Sequence, residues 1–346
     1  MLCVIASIKC ISDFVMKYII FASTIFLLTV LFLEIFLRVY DKNCFSILPI
    51  YFEKEHSLLL KNDFFCVKYK GHPKSNYHTN NFGFRINISN DVKKKYLLIG
   101  DSQALGYGIN IEEHFLFKIL NKKKPNNLEI MAAPHNDLKS IIAFTNNNII
   151  NFKKYEKVYV MFNLCMDIDR YIFGWQKNWN ISNTYFELQL SKLFRIYPYI
   201  KIIYLKFKKY HFTFRPAINP YLDFTNDSEV KIIFDTIVSE YIKFLKNNKV
   251  RDYEFILIAP AWYIDENQIK KFESYYSKYE YINLQKNYPY YKKNMQTHIN
   301  FLREIFNEKQ IKSIFIDKLS LHEEDLFQIN NYHLSKIGHE DIANSF

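Results

Sequence analysis

The sequence predicts an open α/β domain built on a parallel sheet and carried by one membrane-spanning helix. Three observations predict it. From Tyr96 onward, short apolar runs alternate with helical stretches, the signature of strand–helix–strand units. One such run, Tyr96-Leu97-Leu98-Ile99, is too short for a helix and ends in Gly100-Asp101-Ser102 before a glycine-spaced turn. Near the N-terminus, Tyr18 to Leu37 is almost uninterrupted apolar sequence, and a bilayer span needs about 20 such residues.

The elements follow in order. Residues 1–17 are a short N-terminal segment, and Met16, directly before Lys17, is an alternative start. Residues 18–38 read as an uncleaved signal anchor, because no small-x-small cleavage site and no lipid-accepting cysteine follows the run. Ordinary insertion logic leaves the short N-terminus inside and puts the large domain on the extracytoplasmic side. Glu34 sits near the end of the run, where its carboxylate reaches the interface. Residues 39–90, broken by Pro49 and Pro73, read as a stalk and lead-in, with Asn80 to Arg85 forming an ordered turn over the sheet edge.

The domain proper spans 91–346. Its strands are expected at Tyr96–Ile99, Leu128–Ala132, Val158–Phe162, Phe255–Ala259 and Ser313–Ile316, with a short one at Tyr281–Leu284. Helices are expected at Glu112–Asn121, Leu138–Ile150, Glu229–Asn247, Gln268–Tyr279, Asn294–Asn307 and Ser335–Ala343. Residues 170–225, aromatic and rich in breakers, read as an insertion over the active face, a position where loops often carry specificity.

Composition narrows the function classes. At 346 residues there is room for one large domain and an anchor, and 49% apolar residues supply a core. The net charge of +11 reads as a basic solvated surface. With no zinc-finger or RNA-recognition signature and no dense basic arm, a nucleic-acid partner is not expected. The 5 cysteines match no metal motif, and Asp167 with Asp169 is a carboxylate pair without a further cluster, so neither metal nor cofactor is expected. Cys44 and Cys66 could pair if the domain is exported, which the sequence does not establish, while Cys165 reads as a small buried hydrophobe.

The chemistry concentrates at two places. The chain has 7 glycines, and Gly100, Gly106 and Gly108 lie around Ser102, where the backbone takes shapes a Cβ forbids. A strand delivers Ser102 to the carboxyl end of the sheet, where open α/β folds place their sites. Asp101 reads as structural, its side chain bonding the turn backbone. Near the C-terminus, Asn330-Asn331-Tyr332-His333-Leu334-Ser335-Lys336-Ile337-Gly338-His339 puts a histidine just ahead of a last helix. Acyl transfer needs a nucleophile, a base and oxyanion donors, and Ser102 with His333 would supply the first two.

Together these two blocks resemble the first and last motifs of the SGNH (GDSL-like) hydrolase family, and Asn80-Asn81-Phe82-Gly83-Phe84-Arg85 resembles the lead-in of its membrane-anchored members. The resemblance covers roughly residues 80 to 346 and implies a flavodoxin-like three-layer domain with an acyl-serine mechanism. It implies Ser102 as nucleophile and, through its own N–H, as an oxyanion donor, His333 as base, and His339 as a packing residue. The chain departs from the pattern at three places. The family aspartate three residues before the histidine is Asn330, which can fix the tautomer of His333 but offers no charge; the matching loss in a serine protease costs on the order of 10⁴ in turnover. A Ser–His dyad, help from Asp325, or a weakened enzyme are the three readings. After the second strand Ala132-Ala133-Pro134-His135-Asn136-Asp137 holds no glycine, so the backbone donor falls to His135 or Asn136. After the third strand the family asparagine position is Met166, leaving Asn163, three residues away, as the substitute.

The resulting expectation is an O-acyl esterase or O-acetyltransferase on a cell-surface glycan, with Trp175 and Trp179 suited to sugar stacking. The rivals are a glycan-binding module that has lost catalysis and a lipid esterase or thioesterase fed by the membrane.

Overall fold

The computed structural model of the chain describes residues 2–40, 44–45, 48–53, 56–68, 74–87, 94–122, 126–134, 136–148, 150–163, 227–258, 297–316 and 333–345, with separate positions between 187 and 204. The strand expected at Tyr281–Leu284, the helix at Gln268–Tyr279, and Asp325, Asn330, His135, Cys165, Met166, Asp167, Asp169, Trp175 and Trp179 lie outside the described residues. The chain divides into two compact units. One joins Met1–Cys44 with Phe186–His211, and the other joins Phe45–Tyr185 with Phe212–Phe346.

In the first unit, helix α1 runs over Leu2–Tyr40. Its stretch Val15–Val39 is long and apolar enough to cross a membrane. The second unit holds the sheet. Strands β1 (Ile50–Glu53) and β2 (His56–Leu59) form one antiparallel pair, and β3 (Phe64–Val67) and β4 (Ser75–His78) another. The described part of the stretch expected as stalk and lead-in thus contains two antiparallel strand pairs. Cys44 and Cys66 are both disulfide-bonded.

The main sheet contains β5 (Arg85–Ile86), β6 (Lys95–Gly100), β7 (Asn127–Ala132), β8 (Lys157–Asn163), β9 (Tyr253–Ile258) and β10 (Ser313–Ile316), in the order β10-β9-β8-β6-β7-β5. All pairings are parallel except that of β5 with β7. Counting the parallel strands from β6, the order is 2-1-3-4-5, the flavodoxin-like arrangement, and its chain reversal falls between β6 and β8. Leu97, Leu98 and Ile99 of β6 and Val160, Met161 and Phe162 of β8 are buried, as expected of strands covered on both faces.

The helices match their apolar spacing. In α5 (Asp227–Asn247), Val230, Phe234, Ile237, Val238, Tyr241 and Leu245 are buried at helical intervals. Helix α4 (Leu138–Asn147) starts at a capping box of Asp137 with Ser140, and it ends at Asn147 with Asn148 as its C-cap, short of the expected Ile150. The expected helix at Glu112–Asn121 is divided. A 3₁₀ turn, Ile111–Glu113, precedes α3 (Phe115–Asn121), and His114 caps α3 by accepting from Leu116 N–H. Residues 297–308 are helical, and α6 (Lys336–Asn344) closes the chain, capped by Ser335.

Candidate active site

Strand β6 ends against helix α2 (Ser102–Leu105) with no room for a side chain between them. A Cβ at Gly100 would come 2.6 Å from Ala104 Cβ and 3.2 Å from the Met161 carbonyl oxygen. Asp101 caps α2, its carboxylate accepting from Gln103 N–H at 2.8 Å, so it is structural as the sequence implied. Ser102 is then the first helical residue, at the carboxyl end of the central strand and beside the reversal in strand order. Its N–H belongs to the first-turn donors that a helix leaves without an intrahelical partner.

The turn that follows is braced from outside. Gly106 takes the left-handed conformation, φ 67°, and closes α2 through its N–H to the Gln103 carbonyl. Arg85 is fully buried and donates from Nη1 to the carbonyls of Leu105 at 2.8 Å and Gly106 at 2.9 Å. From Nη2 it donates to the carbonyls of Ile109 at 2.5 Å and Asn76 at 3.2 Å. Its guanidinium lies 4.1 Å above the centre of the Tyr77 ring, and the Tyr77 hydroxyl accepts from Gly108 N–H at 2.9 Å. Burial pulls the arginine pKa below its ordinary value, against the opposing influence of Tyr77, Glu112 and Glu113. The Asn80–Arg85 turn, whose Asn80 side chain accepts from Phe82 and Phe84 N–H, thus delivers Arg85 to the loop after the serine. The sequence marked this turn but not its task, because the residues it serves lie 20 or more positions downstream.

The C-terminal block meets the same turn. Leu334 N–H donates to Gln103 Oε1 at 3.3 Å. The His333 ring stacks on Tyr107, with centroids 4.5 Å apart and planes 19° from parallel. His333 is therefore held at the serine turn through both neighbours of that turn, although no hydrogen bond joins Ser102 Oγ to the His333 ring among the described residues. His339 packs as expected. It is buried, its Nδ1 accepts from Phe115 N–H at 3.2 Å, and its ring lies 4.8 Å from that of His114. His114 Nε2 bonds the Ala104 carbonyl at 3.0 Å, which with its Nδ1 cap assigns the neutral Nε2–H tautomer. Burial, and secondarily Arg85, drives the His114 pKa down to about 3, and burial, and secondarily His114, holds that of His339 well below normal.

The expected oxyanion residues follow three adjacent strand ends. Gly100 and Ala132 are paired in β6 and β7, so Ser102 and the loop to Asn136 leave neighbouring strands. Asn163 is the last residue of β8, on the other side of β6, with its backbone paired to Ile258. Asn136 is buried, but its backbone N–H donates to the Ala133 carbonyl at 3.2 Å. Of the two main-chain donors expected there, that of Asn136 is thus engaged in a turn. Among the described residues no group of three or more His, Cys, Asp or Glu side chains is placed to hold a metal.

No protein-family model matches the chain, and no curated protein matches it. Solved structures do resemble it. A lipase from a goat rumen metagenome has 15% identity and a TM-score of 0.38, with 73% of this chain and 95% of that one covered. An acetylxylan esterase from Geobacillus stearothermophilus, solved as a catalytic mutant, has 11% identity and a TM-score of 0.37, with 75% and 94% covered. A G-D-S-L family lipolytic protein from Desulfitobacterium hafniense has 12% identity and a TM-score of 0.33, with 73% and 97% covered.

Proposed function

We propose that the chain is an SGNH-type serine O-acyl esterase or O-acetyltransferase that acts on a cell-surface glycan from a membrane anchor, with its domain on the extracytoplasmic side. The observation that carries this reading is the attachment of the His333 segment, through Gln103 and Tyr107, to the same turn that starts with Ser102. Ser102 Oγ attacks the acyl carbonyl while His333 takes its proton. The oxyanion draws on Ser102 N–H, on a donor from the loop of His135 and Asn136, and on Asn163. His333 then protonates the departing alkoxide, and the acyl-serine passes to water or to a sugar hydroxyl. Asn330, or Asp325 in its place, orients His333. The disulfide-bonded Cys44 and Cys66 favour an oxidising compartment.

A second reading, a glycan-binding module without turnover, is favoured by the commitment of Asn136 N–H to Ala133. The two separate in one assay. Full-length protein is given aryl esters of increasing acyl length, beside Ser102→Ala. The proposal expects turnover that is highest for acetyl and falls on the order of 10⁴-fold or more in the variant. A rise with chain length would point to a lipid esterase, and glycan binding without turnover, unchanged in the variant, to the binding module.

A further inference from the structure

The first unit contains a second apolar surface besides α1. Residues 187, 190, 193, 197, 200 and 204 are helical, with a non-helical break at Phe194 and a turn at Ile196. Phe194 N–H closes the earlier piece onto the Leu190 carbonyl at 2.7 Å, and Ile200 N–H opens the later one onto the Ile196 carbonyl at 3.1 Å. At this corner two backbone groups lie where helices leave theirs without partners, the Leu193 carbonyl and the Ile196 N–H. Both are taken by α1. Arg38 Nη2 donates to the Leu193 carbonyl, and Glu34 Oε2 accepts from Ile196 N–H at 3.0 Å. Glu34 Oε1 is held at 2.7 Å by Arg38 Nε. The acidic residue that looks out of place in an apolar span is thus fully engaged, as a carboxylate at membrane depth must be.

This clasp fixes a depth. Glu34 stands five residues before Val39, the end of the apolar stretch. At 1.5 Å per helical residue, Ile196 is held about 7 Å inside that end, within the roughly 5–10 Å at which interfacial helices lie. Around the corner Leu193, Phe194, Ile200 and Tyr204 are each more than half exposed. Residues 186–211 carry six Lys or Arg against the single Glu187, and seven Phe or Tyr. Exposed apolar side chains, aromatic rings and flanking cations are what a phospholipid interface accepts.

We propose that the corner described by Leu193, Phe194, Ile196, Ile200 and Tyr204 is a second membrane element, seated in the headgroup–acyl boundary of a phospholipid bilayer and clasped to the anchor by Glu34 and Arg38. The surface is continuous with the span, so the bilayer that surrounds α1 also covers it. Its function is to fix the orientation of the anchor's exit, which a single helix leaves free to rotate and tilt.

The test uses full-length protein in vesicles of 3:1 phosphatidylcholine and phosphatidylglycerol, doped with a phospholipid whose acyl chain carries a photoactivatable carbene source. Adducts are mapped by mass spectrometry. Peptides carrying Phe64 and Ile232, exposed apolar residues of the other unit, set the background. Adducts at Leu193, Phe194, Ile200 or Tyr204 at least tenfold above it are expected. Glu34→Ala should lower them several-fold while adducts within Val15–Val39 persist. Adducts confined to Val15–Val39 would overturn the proposal while upholding the anchor, and so would protein–protein cross-links at Leu193 or Ile200 in place of lipid. Yields at 193–204 unchanged by Glu34→Ala would overturn the clasp.

Discussion

The Arg85 guanidinium spreads four hydrogen bonds over three carbonyls of the serine turn and one of β4. Lysine carries the same charge but is a point donor without the planar fork, so Arg85→Lys should leave part of the turn unheld. Because that turn carries Tyr107 and Tyr107 carries His333, we expect kcat to fall on the order of 10²-fold with little change in KM, as for a displacement of about 1 Å at the reacting groups. Equal loss of kcat and gain in KM would contradict a positioning role. His114 makes a separate prediction. Its folded pKa of about 3 lies below the ordinary 6.5, so the unfolded chain takes up the proton first as pH falls. Its stabilising contribution is complete above about pH 6.5 and declines toward pH 3. Chemical denaturation should show about 2 kcal/mol less stability at pH 5 than at pH 7 from this residue, and His114→Gln should flatten that difference.

At the scale of elements, the β6–α2 corner is specified by its glycines. A Cβ at Gly106 would sit 2.8 Å from His114 Cδ2 and 3.3 Å from Arg85 Nη1, on a backbone already at φ 67°. Gly106→Ala should therefore cost about 1–3 kcal/mol in thermal or chemical unfolding and lower activity with it. This corner was legible in the sequence because an apolar run, a cap and clustered glycines are local signals. The strands from β6 to β10 were legible for the same reason. The split before α3 was not, since it depends on His114 reaching Ala104 and on His339 reaching Phe115, contacts between distant parts of the chain. Arg85 belongs to the same category: its motif is visible, but its partners are chosen by the fold.

At the scale of the molecule, the sequence carried the long apolar helix and the parallel sheet. Ser102 stands at the reversal between β6 and β8, with Asn136 in the loop after β7 and Asn163 at the end of β8. What the sequence concealed is that residues 186–211, read as part of an insertion over the active face, group with α1. Their mixture of Tyr, Phe and Lys also suits a sugar-binding loop, and only the bonds of Glu34 and Arg38 distinguish the two. The central claim is that Ser102 is an activated nucleophile. It is tested most directly by labelling full-length protein in detergent with a fluorophosphonate probe, which requires no knowledge of the substrate. We predict labelling of the wild type that is lost in both Ser102→Ala and His333→Ala. A folded wild type that stays unlabelled, or labelling that survives Ser102→Ala, would contradict it.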